Sequence, residues 1–215
     1  MDVTRPYREC MIWKSQIKKQ YEINLHDTSS SLEVIFLDDF ISFGWIGFAS
    51  LNKIHTGGWA KTDAVYRVGA PPENETDENF YLDILCHEGR HFSDYSHFPN
   101  LQQPELEYRA KLTELCYAQD TLLRRIQHYF NTSSPDKNSA PHTFSAYHVM
   151  RDLSLAMFST LTPPPIEKWQ TLDIEKINTA ATSILQQNNT WLKANNPEKI
   201  TSFLGEFEFQ TTTTT

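Results

Sequence analysis

A chain of 215 residues with 39% hydrophobic and 13% aromatic residues has enough apolar material to bury a sizeable core, which excludes an intrinsically disordered protein. Its formal net charge of −8 at pH 7 disfavours nucleic acid or an anionic membrane as the main partner, because both select basic surfaces. We therefore expect a peptide, a protein or a small molecule as the ligand, with no nucleic acid and no membrane.

The cysteines and the first residues indicate the compartment. Cys10, Cys86 and Cys116 are too few and too scattered for a disulfide framework, and no C-x-x-C pair suggests a thiolate metal site. The first ten residues contain no apolar signal-peptide core, and no apolar run is long enough to span a bilayer. We expect a cytoplasmic protein, with export without a signal peptide as the alternative.

The first seventy residues are predicted to form one helix and a small sheet. Apolar residues at roughly helical intervals over residues 5–21 predict an amphipathic helix. The run 32–37 predicts a buried strand that ends at two acids, Asp38 and Asp39. Segments 45–48 and 59–68 predict further strands, the second introduced by a Gly-Gly turn. The expected sheet is small and mostly antiparallel.

The rest of the chain is predicted to be helical. A helix over 79–97 begins at Asp77 or Glu78 and stops before Pro99, and Pro104 suits the first turn of a long helix that runs to about residue 130. The remaining expected elements are loops over 70–78 and 131–141, helices over 143–158 and 172–194, and a proline breaker at 163–165.

These elements predict one helix-rich α+β domain over residues 1–215. Its expected parts are an N-terminal helix with a small sheet (1–70), the metal-binding helices (71–130), a C-terminal helical part (131–210) and a frayed tail (211–215).

The segment 86–91, Cys-His-Glu-Gly-Arg-His, contains the pattern H-E-x-x-H on the predicted helix 79–97. Residues four apart lie on one face of a helix, so His87 and His91 can both reach one ion at the ~2.0–2.1 Å of zinc–nitrogen bonds. Glu88 is then placed beside a metal-bound water and not on the metal. Zinc lowers the pKa of such a water to about 7, and the carboxylate can take its proton while the water attacks a carbonyl carbon. The pattern therefore predicts a Zn²⁺ site with Glu88 as the general base.

A catalytic zinc usually has three protein ligands and one open position, so a third ligand is needed. The spacing His87-x3-His91-x5-His97 is that of the metzincin signature H-E-x-x-H-x-x-G-x-x-H, which makes His97 one candidate. The signature has glycine where Asp94 stands in this chain. Aspartate tolerates a left-handed turn better than most residues, so His97 stays a candidate for the third ligand.

The following helix offers acids as third ligand. The fragment Glu107-x-x-Ala110 resembles the E-x-x-A-[DN] element of several H-E-x-x-H peptidase families, whose leading glutamate is the ligand. Lys111 stands where that element has the Asp or Asn that orients a ligand histidine. Helical-wheel geometry instead brings Glu105 near the apolar stripe of the helix. We prefer Glu107, with His97 and Glu105 as the alternatives.

Residues 87–114 together resemble the active site of zincin-like zinc metallopeptidases, of the gluzincin type. The resemblance implies a zincin-like domain that hydrolyses peptide bonds in a peptide or protein substrate, with Zn²⁺ held by His87, His91 and Glu107. In such enzymes an edge strand beside the active-site helix pairs with the substrate backbone, and residues 57–66 are the candidate for this strand.

Two residues of the predicted helix 143–158 are candidates for stabilising the oxyanion. Zincin-like enzymes often take a Tyr, His or Arg from a later element for this purpose, and Tyr147 and His148, with His142 nearby, meet that description. Near the motif, we expect Arg90 to pair with an acid such as Asp94, and Cys86 to be a buried thiol.

Two other functions compete with the peptidase hypothesis. One is a zinc-dependent hydrolase of a different bond, because the same metal, water and carboxylate attack other electrophiles. The other is a helical interaction or effector domain in which the H-E-x-x-H pattern is only structural.

Overall fold

The computed structural model describes residues 10–61, 64–74 and 77–211. These residues form helices and one four-stranded sheet, which confirms the α+β class. The chain divides into two compact units. The first contains the described residues up to 21 and from 32 to 73, and the second contains 22–31 and the described residues from 74 onwards.

The first unit carries most of the sheet, whose strands are β1 (Ile12–Asn24), β2 (Ser29–Ser42), β3 (Gly58–Ala60) and β4 (Val65–Val68). The strand order is β1-β2-β4-β3, so β3 lies at an edge. β2 and β4 pair in parallel, with Val34 opposite Val65, whereas β3 and β4 are antiparallel. The sheet is therefore mixed, because the parallel pair β2–β4 adjoins the antiparallel pair β3–β4. The buried residues Ile35, Leu37 and Ala64 form its small core.

The helix predicted over residues 5–21 is wrong, because residues 12–24 form β1; residues 5–9 lie outside the described chain. Along β1 the less exposed side chains are mostly alternate ones, which is the period of a strand. Ile17, an anchor of the predicted apolar helix face, is 49% exposed. The three isoleucines of this segment also favour a strand, since β-branched side chains pack well on a pleated surface.

The strand predicted at residues 45–48 is also wrong, because helix α1 spans Gly44–Ala49. Its apolar side chains are exposed, Phe48 by 74%, so this run is not a buried strand. A short apolar run does not distinguish strand from helix by itself. The strand predicted at 59–68 is instead the pair β3 and β4, whose connection includes Thr62 and Asp63, outside the described residues. β2 continues past Asp38 and Asp39 to Ser42.

The second unit is helical. Its elements are α2 (Glu78–Phe80), a π-helical segment (Tyr81–Cys86), α3 (His87–His97), α4 (Gln103–Tyr117), α5 (Leu122–Thr132), α6 (Pro141–Phe158), α7 (Ile166–Trp169) and α8 (Ile174–Ala194). The carboxylate of Asp77 accepts a hydrogen bond from the Asn79 N–H and caps α2, as predicted. The helices expected at 79–97, 143–158 and 172–194 are confirmed. Among the helices that the structure describes, none has the length and apolar character needed to cross a membrane.

The long helix predicted from Pro104 to residue 130 is broken into α4 and α5. The break has a tertiary cause, because the Glu78 carboxylate accepts hydrogen bonds from the backbone N–H groups of Gln119, Asp120 and Thr121. These contacts end α4 after Tyr117 and satisfy the free N–H groups at the start of α5. The predicted frayed tail spans residues 211–215. Thr211 is its one described residue, and residues 212–215 lie outside the described chain.

A row of paired charges crosses the core of the second unit. The Arg90 guanidinium donates to both oxygens of Asp27, at 3.0 and 2.5 Å, and to the Leu25 carbonyl at 3.2 Å. Arg109 donates two hydrogen bonds, of 2.7 and 2.8 Å, to Asp94. Arg90 and Asp94 lie 3.7 Å apart. The predicted Arg90–Asp94 pair therefore exists, but Asp27 is the closer partner of Arg90.

We expect Asp27→Asn to destabilise the protein. Arg90 is fully buried, and removing the charge of its closest partner leaves it only Asp94, which Arg109 also binds. The expected loss is about 3 kcal/mol of unfolding free energy, measured by urea unfolding. Asp38→Asn, at an exposed strand position, is the matched control and should change stability by less than about 0.5 kcal/mol.

The effect of Asp27→Asn should depend on pH. Burial alone would raise the pKa of Asp27, but the hydrogen bonds and charge of Arg90 lower it below 3.8. The stabilisation by the carboxylate is thus fully present above pH 3.8 and is lost as the pH falls through the lowered folded-state value. The two proteins should therefore converge in stability in strong acid, and an unchanged gap there would contradict the assignment.

Candidate metal centre

Two imidazoles and a carboxylate converge where α3 faces α4. The Nε2 atoms of His87 and His91 lie 3.0 Å apart. Each lies 3.5 Å from an oxygen of Glu107, His87 from Oε2 and His91 from Oε1. Of the described residues, these three form the group of His, Cys, Asp or Glu side chains whose ligand atoms all lie within 4.8 Å of one another.

The spacing of these atoms fits a tetrahedral metal ion. Bonds of ~2.0–2.1 Å to one tetrahedral ion place neighbouring ligand atoms about 3.3 Å apart. The observed separations of 3.0, 3.5 and 3.5 Å lie on both sides of that value. Two imidazole nitrogens and a carboxylate are also a donor set that zinc accepts. His87, His91 and Glu107 could therefore each offer one ligand atom to a single ion.

The local sequence explains how the histidines reach this position. His87 begins α3 directly after the π-helical segment Tyr81–Cys86, and such segments occur frequently at functional sites. Gly89, between the two histidines, lets the helix lie close to Ile23, because a Cβ at that position would come within 2.9 Å of the isoleucine side chain. The small residue inside the H-E-x-x-H pattern thus has a packing role.

Glu114 orients the first histidine. Its Oε1 lies 2.6 Å from Nδ1 of His87, which turns Nε2 of the same ring toward Glu107. Its other oxygen accepts hydrogen bonds from Arg125 and Tyr129. Burial disfavours a charged His87, but the hydrogen bond to Glu114 and the nearby carboxylates outweigh it and raise the pKa of His87. Histidines that bind metals commonly have such a carboxylate partner.

Sequence reasoning missed Glu114. It looked for the orienting residue at position 111, where Lys111 instead places its ammonium 3.7 Å from Glu107. Glu107 and Glu114 are seven residues apart, which is two turns of one helix, so both carboxylates lie on the same face. This spacing could have identified Glu114 as a partner of the histidines from the sequence. His91 has no comparable partner among the described residues, since its buried Nδ1 makes no hydrogen bond.

The Glu107 carboxylate is held as an anion. Burial alone would raise its pKa, but contacts with His142, His91 and His87 hold the pKa well below its usual range. The Nδ1 of His142, at the start of α6, lies 2.7 Å from Oε2 of Glu107. An ionised carboxylate is the form that binds a metal.

The alternative third ligands have other roles in this structure. Nδ1 of His97 hydrogen-bonds to the Ser93 carbonyl at 2.8 Å. Glu105 accepts hydrogen bonds from the Ser202 hydroxyl and the Phe203 N–H. The helical-wheel argument for Glu105 failed because every residue of α4 from 105 to 116 is buried, so no single stripe marks the core side.

Tyr147 and His148 are not joined to this centre by any contact that the structure describes. The His148 ring is buried and packs edge-on against Phe144 and Tyr147. Burial, with a smaller effect of Arg151, lowers the pKa of His148 to about 4. His142 is the residue of α6 that reaches Glu107. The expectation for Cys86 is confirmed, since the residue is buried and burial raises the pKa of its thiol to about 12.

A solvent cavity of about 540 Å³ opens beside the centre, and both His87 and Glu88 line it. Glu88 is half-buried. The cavity therefore brings solvent to His87 and to the Glu88 carboxylate, whereas His91 and Glu107 lie behind its lining.

No family model, no curated protein and no solved structure matches this chain. The functional argument therefore depends on the geometry of these side chains.

We expect Glu114→Gln to weaken zinc binding by about tenfold to a hundredfold, because the neutral amide no longer fixes the His87 ring as a carboxylate does. Affinity is measured by competition with a chromophoric chelator. Tyr129→Phe is the matched control, since it removes another hydrogen bond of the same carboxylate and leaves the contact with His87 intact. An equal effect of both variants would mean that Glu114 acts only through general stability.

Proposed function

We propose that this protein is a zinc-dependent hydrolase of peptide bonds, similar in its active site to zincin-like metallopeptidases of the gluzincin type. In this proposal His87, His91 and Glu107 bind Zn²⁺ and Glu88 is the general base. The supporting observation is the cluster of ligand atoms, in which the two imidazole Nε2 atoms lie 3.0 Å apart and each lies 3.5 Å from one of the two Glu107 oxygens, together with the Glu88 carboxylate on the adjoining cavity.

Zinc, when bound, supplies Lewis acidity and lowers the pKa of water to about 7. Glu88 accepts a proton from the attacking water as the new carbon–oxygen bond forms. The same carboxyl group then returns this proton to the amine nitrogen as the carbon–nitrogen bond breaks. Glu107 stays ionised throughout, and Glu114 keeps the His87 ring in place.

Helix α6 supplies the candidates for the oxyanion donor. Tyr147 and His148 remain candidates because zincin-like enzymes take such donors from a later element. His142 is better placed than either, since its side chain is 66% exposed and its ring already touches Glu107. For the compartment we propose the cytoplasm, where the free thiols Cys10, Cys86 and Cys116 would stay reduced.

We expect the purified full-length chain to retain one equivalent of zinc after dialysis, measured by mass spectrometry of the metal. His87→Ala, His91→Ala and Glu107→Gln should each abolish stoichiometric binding. His97→Ala is the control and should retain the zinc, because His97 lies outside the cluster of ligand atoms. A saturating excess of 100 times the dissociation constant should stabilise the wild type by about 2.7 kcal/mol, and no stabilisation would contradict a native zinc site.

We expect Glu88→Gln to bind zinc normally and to hydrolyse denatured protein substrates about 10² to 10⁴ times more slowly, since it lacks the proton acceptor. Cleavage is followed by the release of new amino termini. Glu167→Gln, at an exposed helix position, should keep wild-type activity.

The two competing functions predict different results in the measurements of zinc binding, peptide cleavage and stability. Zinc binding without cleavage of any peptide bond would favour a hydrolase of another bond. A zinc-free chain whose stability survives His87→Ala would favour a purely structural H-E-x-x-H pattern, because loss of a bound metal lowers stability.

A further inference from the structure

The cavity beside the metal centre has a basic wall. Helix α5 contributes Arg124, Arg125 and His128 to its lining, and α4 contributes Lys111. The N-terminus of α5 is held by the hydrogen bonds from its first turn to Glu78. The arginines are therefore presented by an anchored helix and not by a loop.

Arg125 has unpaired N–H groups although the residue is only 8% exposed. Its Nη1 donates to Asp83 at 2.5 Å and to Glu114 at 2.8 Å, and its Nε donates to the Thr121 hydroxyl. Its buried Nη2 makes no hydrogen bond within the part of the chain that the structure describes. A buried guanidinium nitrogen without a partner is costly, so this atom indicates a missing acceptor.

Arg124 lines the same cavity and is exposed. Its Nη2 donates to the side-chain oxygen of Asn79, and no ion pair between Arg124 and a carboxylate is present among the residues that are described. Its charge is therefore not compensated by a contact with an acid. Two adjacent arginines thus offer unused N–H groups at one wall of the cavity.

The acids of the cavity do not occupy these donors. Both oxygens of Glu114 are engaged, by His87 on one side and by Arg125 and Tyr129 on the other. Asp83 reaches Nη1 of Arg125 and not Nη2. Asp83 and Glu88 would, however, repel a dianion. The wall therefore suits a singly charged, planar acceptor better than a phosphate.

We propose that Arg124 and Arg125 form a carboxylate-binding subsite, which holds a carboxylate of the substrate while the scissile carbonyl lies at the metal centre. A guanidinium donates strong, charge-assisted hydrogen bonds to a carboxylate. The exposed Arg124 can donate them at the cavity, whereas Arg125 has only Nη2 left to donate, because its Nε and Nη1 are already engaged. The choice of substrate rests on the proposed peptidase function, but the binding of a carboxylate does not. The carboxylate comes either from the C-terminus of a peptide or from an acidic side chain.

Binding is tested on the 215-residue chain by calorimetric titration with butyrate, a singly charged carboxylate, and with butyramide, its uncharged analogue, in zinc-loaded and in chelated samples. We expect butyramide to bind at least about tenfold more weakly, and Arg124→Gln to weaken butyrate binding by about tenfold, because charge-assisted hydrogen bonds are lost. Lys193→Gln removes one positive charge from an exposed position of α8 and should leave binding unchanged.

Arg125→Lys is a second variant, since it keeps the charge and removes the unpaired Nη2; it should also weaken butyrate binding. Equal affinities for butyrate and butyramide, an equal loss in Lys193→Gln, or tighter binding of inorganic phosphate than of butyrate would each overturn the subsite.

Cleavage then distinguishes the two sources of the carboxylate. Peptides of one sequence are compared with a free or an amidated C-terminus, and with Glu or Gln near the cleaved bond. A drop in kcat/KM on amidation assigns the C-terminal carboxylate, and a drop on Glu→Gln in the peptide assigns the side chain. In either case Arg124→Gln should abolish the preference, and no preference at all would overturn the substrate assignment. Selective butyrate binding without any peptide cleavage would support the subsite and contradict the peptidase function.

Discussion

The structure of the second unit depends on a row of alternating charges, which runs inward from the exposed Asp27 through the buried Arg90, Asp94 and Arg109 and ends at Asn188. Isolated charges at these depths would be strongly unfavourable, so each must meet its partner in good geometry. The row connects the segment before β2 to α3, α4 and α8. It thereby fixes the rotation of α3 about its own axis and its position against α4.

The candidate metal centre, where His87, His91 and Glu107 meet, is a consequence of that fixed arrangement. His87 and His91 lie one turn apart on α3, next to the stripe that carries Arg90 and Asp94. Because the paired charges hold this side of α3 against α4, the imidazoles also face Glu107. Helix α4 is buried from residue 105 to 116 and tolerates its acids because each has partners. Glu114 extends the contacts from His87 to Arg125 on α5, which links the centre to the basic wall of the cavity.

Much of this could be predicted from local sequence, and the failures have physical causes. The helix caps, the proline at the start of α4 and the H-E-x-x-H helix are encoded within a few residues. The apolar spacing of residues 5–21 fits the period of a helix as well as that of a strand, and only pairing with β2 makes residues 12–24 a strand. The break after Tyr117 was missed because Glu78, far away in sequence, supplies the acceptor that ends the helix.

The sequence by itself determined that two imidazoles and an adjoining carboxylate share one turn of a helix, since this follows from a spacing of four residues and the pitch of the helix. It also ranked Glu107 first among the third ligands by its resemblance to a known element. Only the tertiary structure decided that Glu107 faces the histidines while Glu105 and His97 do not, that Glu114 orients His87, and that a cavity lies beside Glu88. These features depend on the distance and rotation between α3, α4 and α5, which are set by buried contacts between residues far apart in the chain.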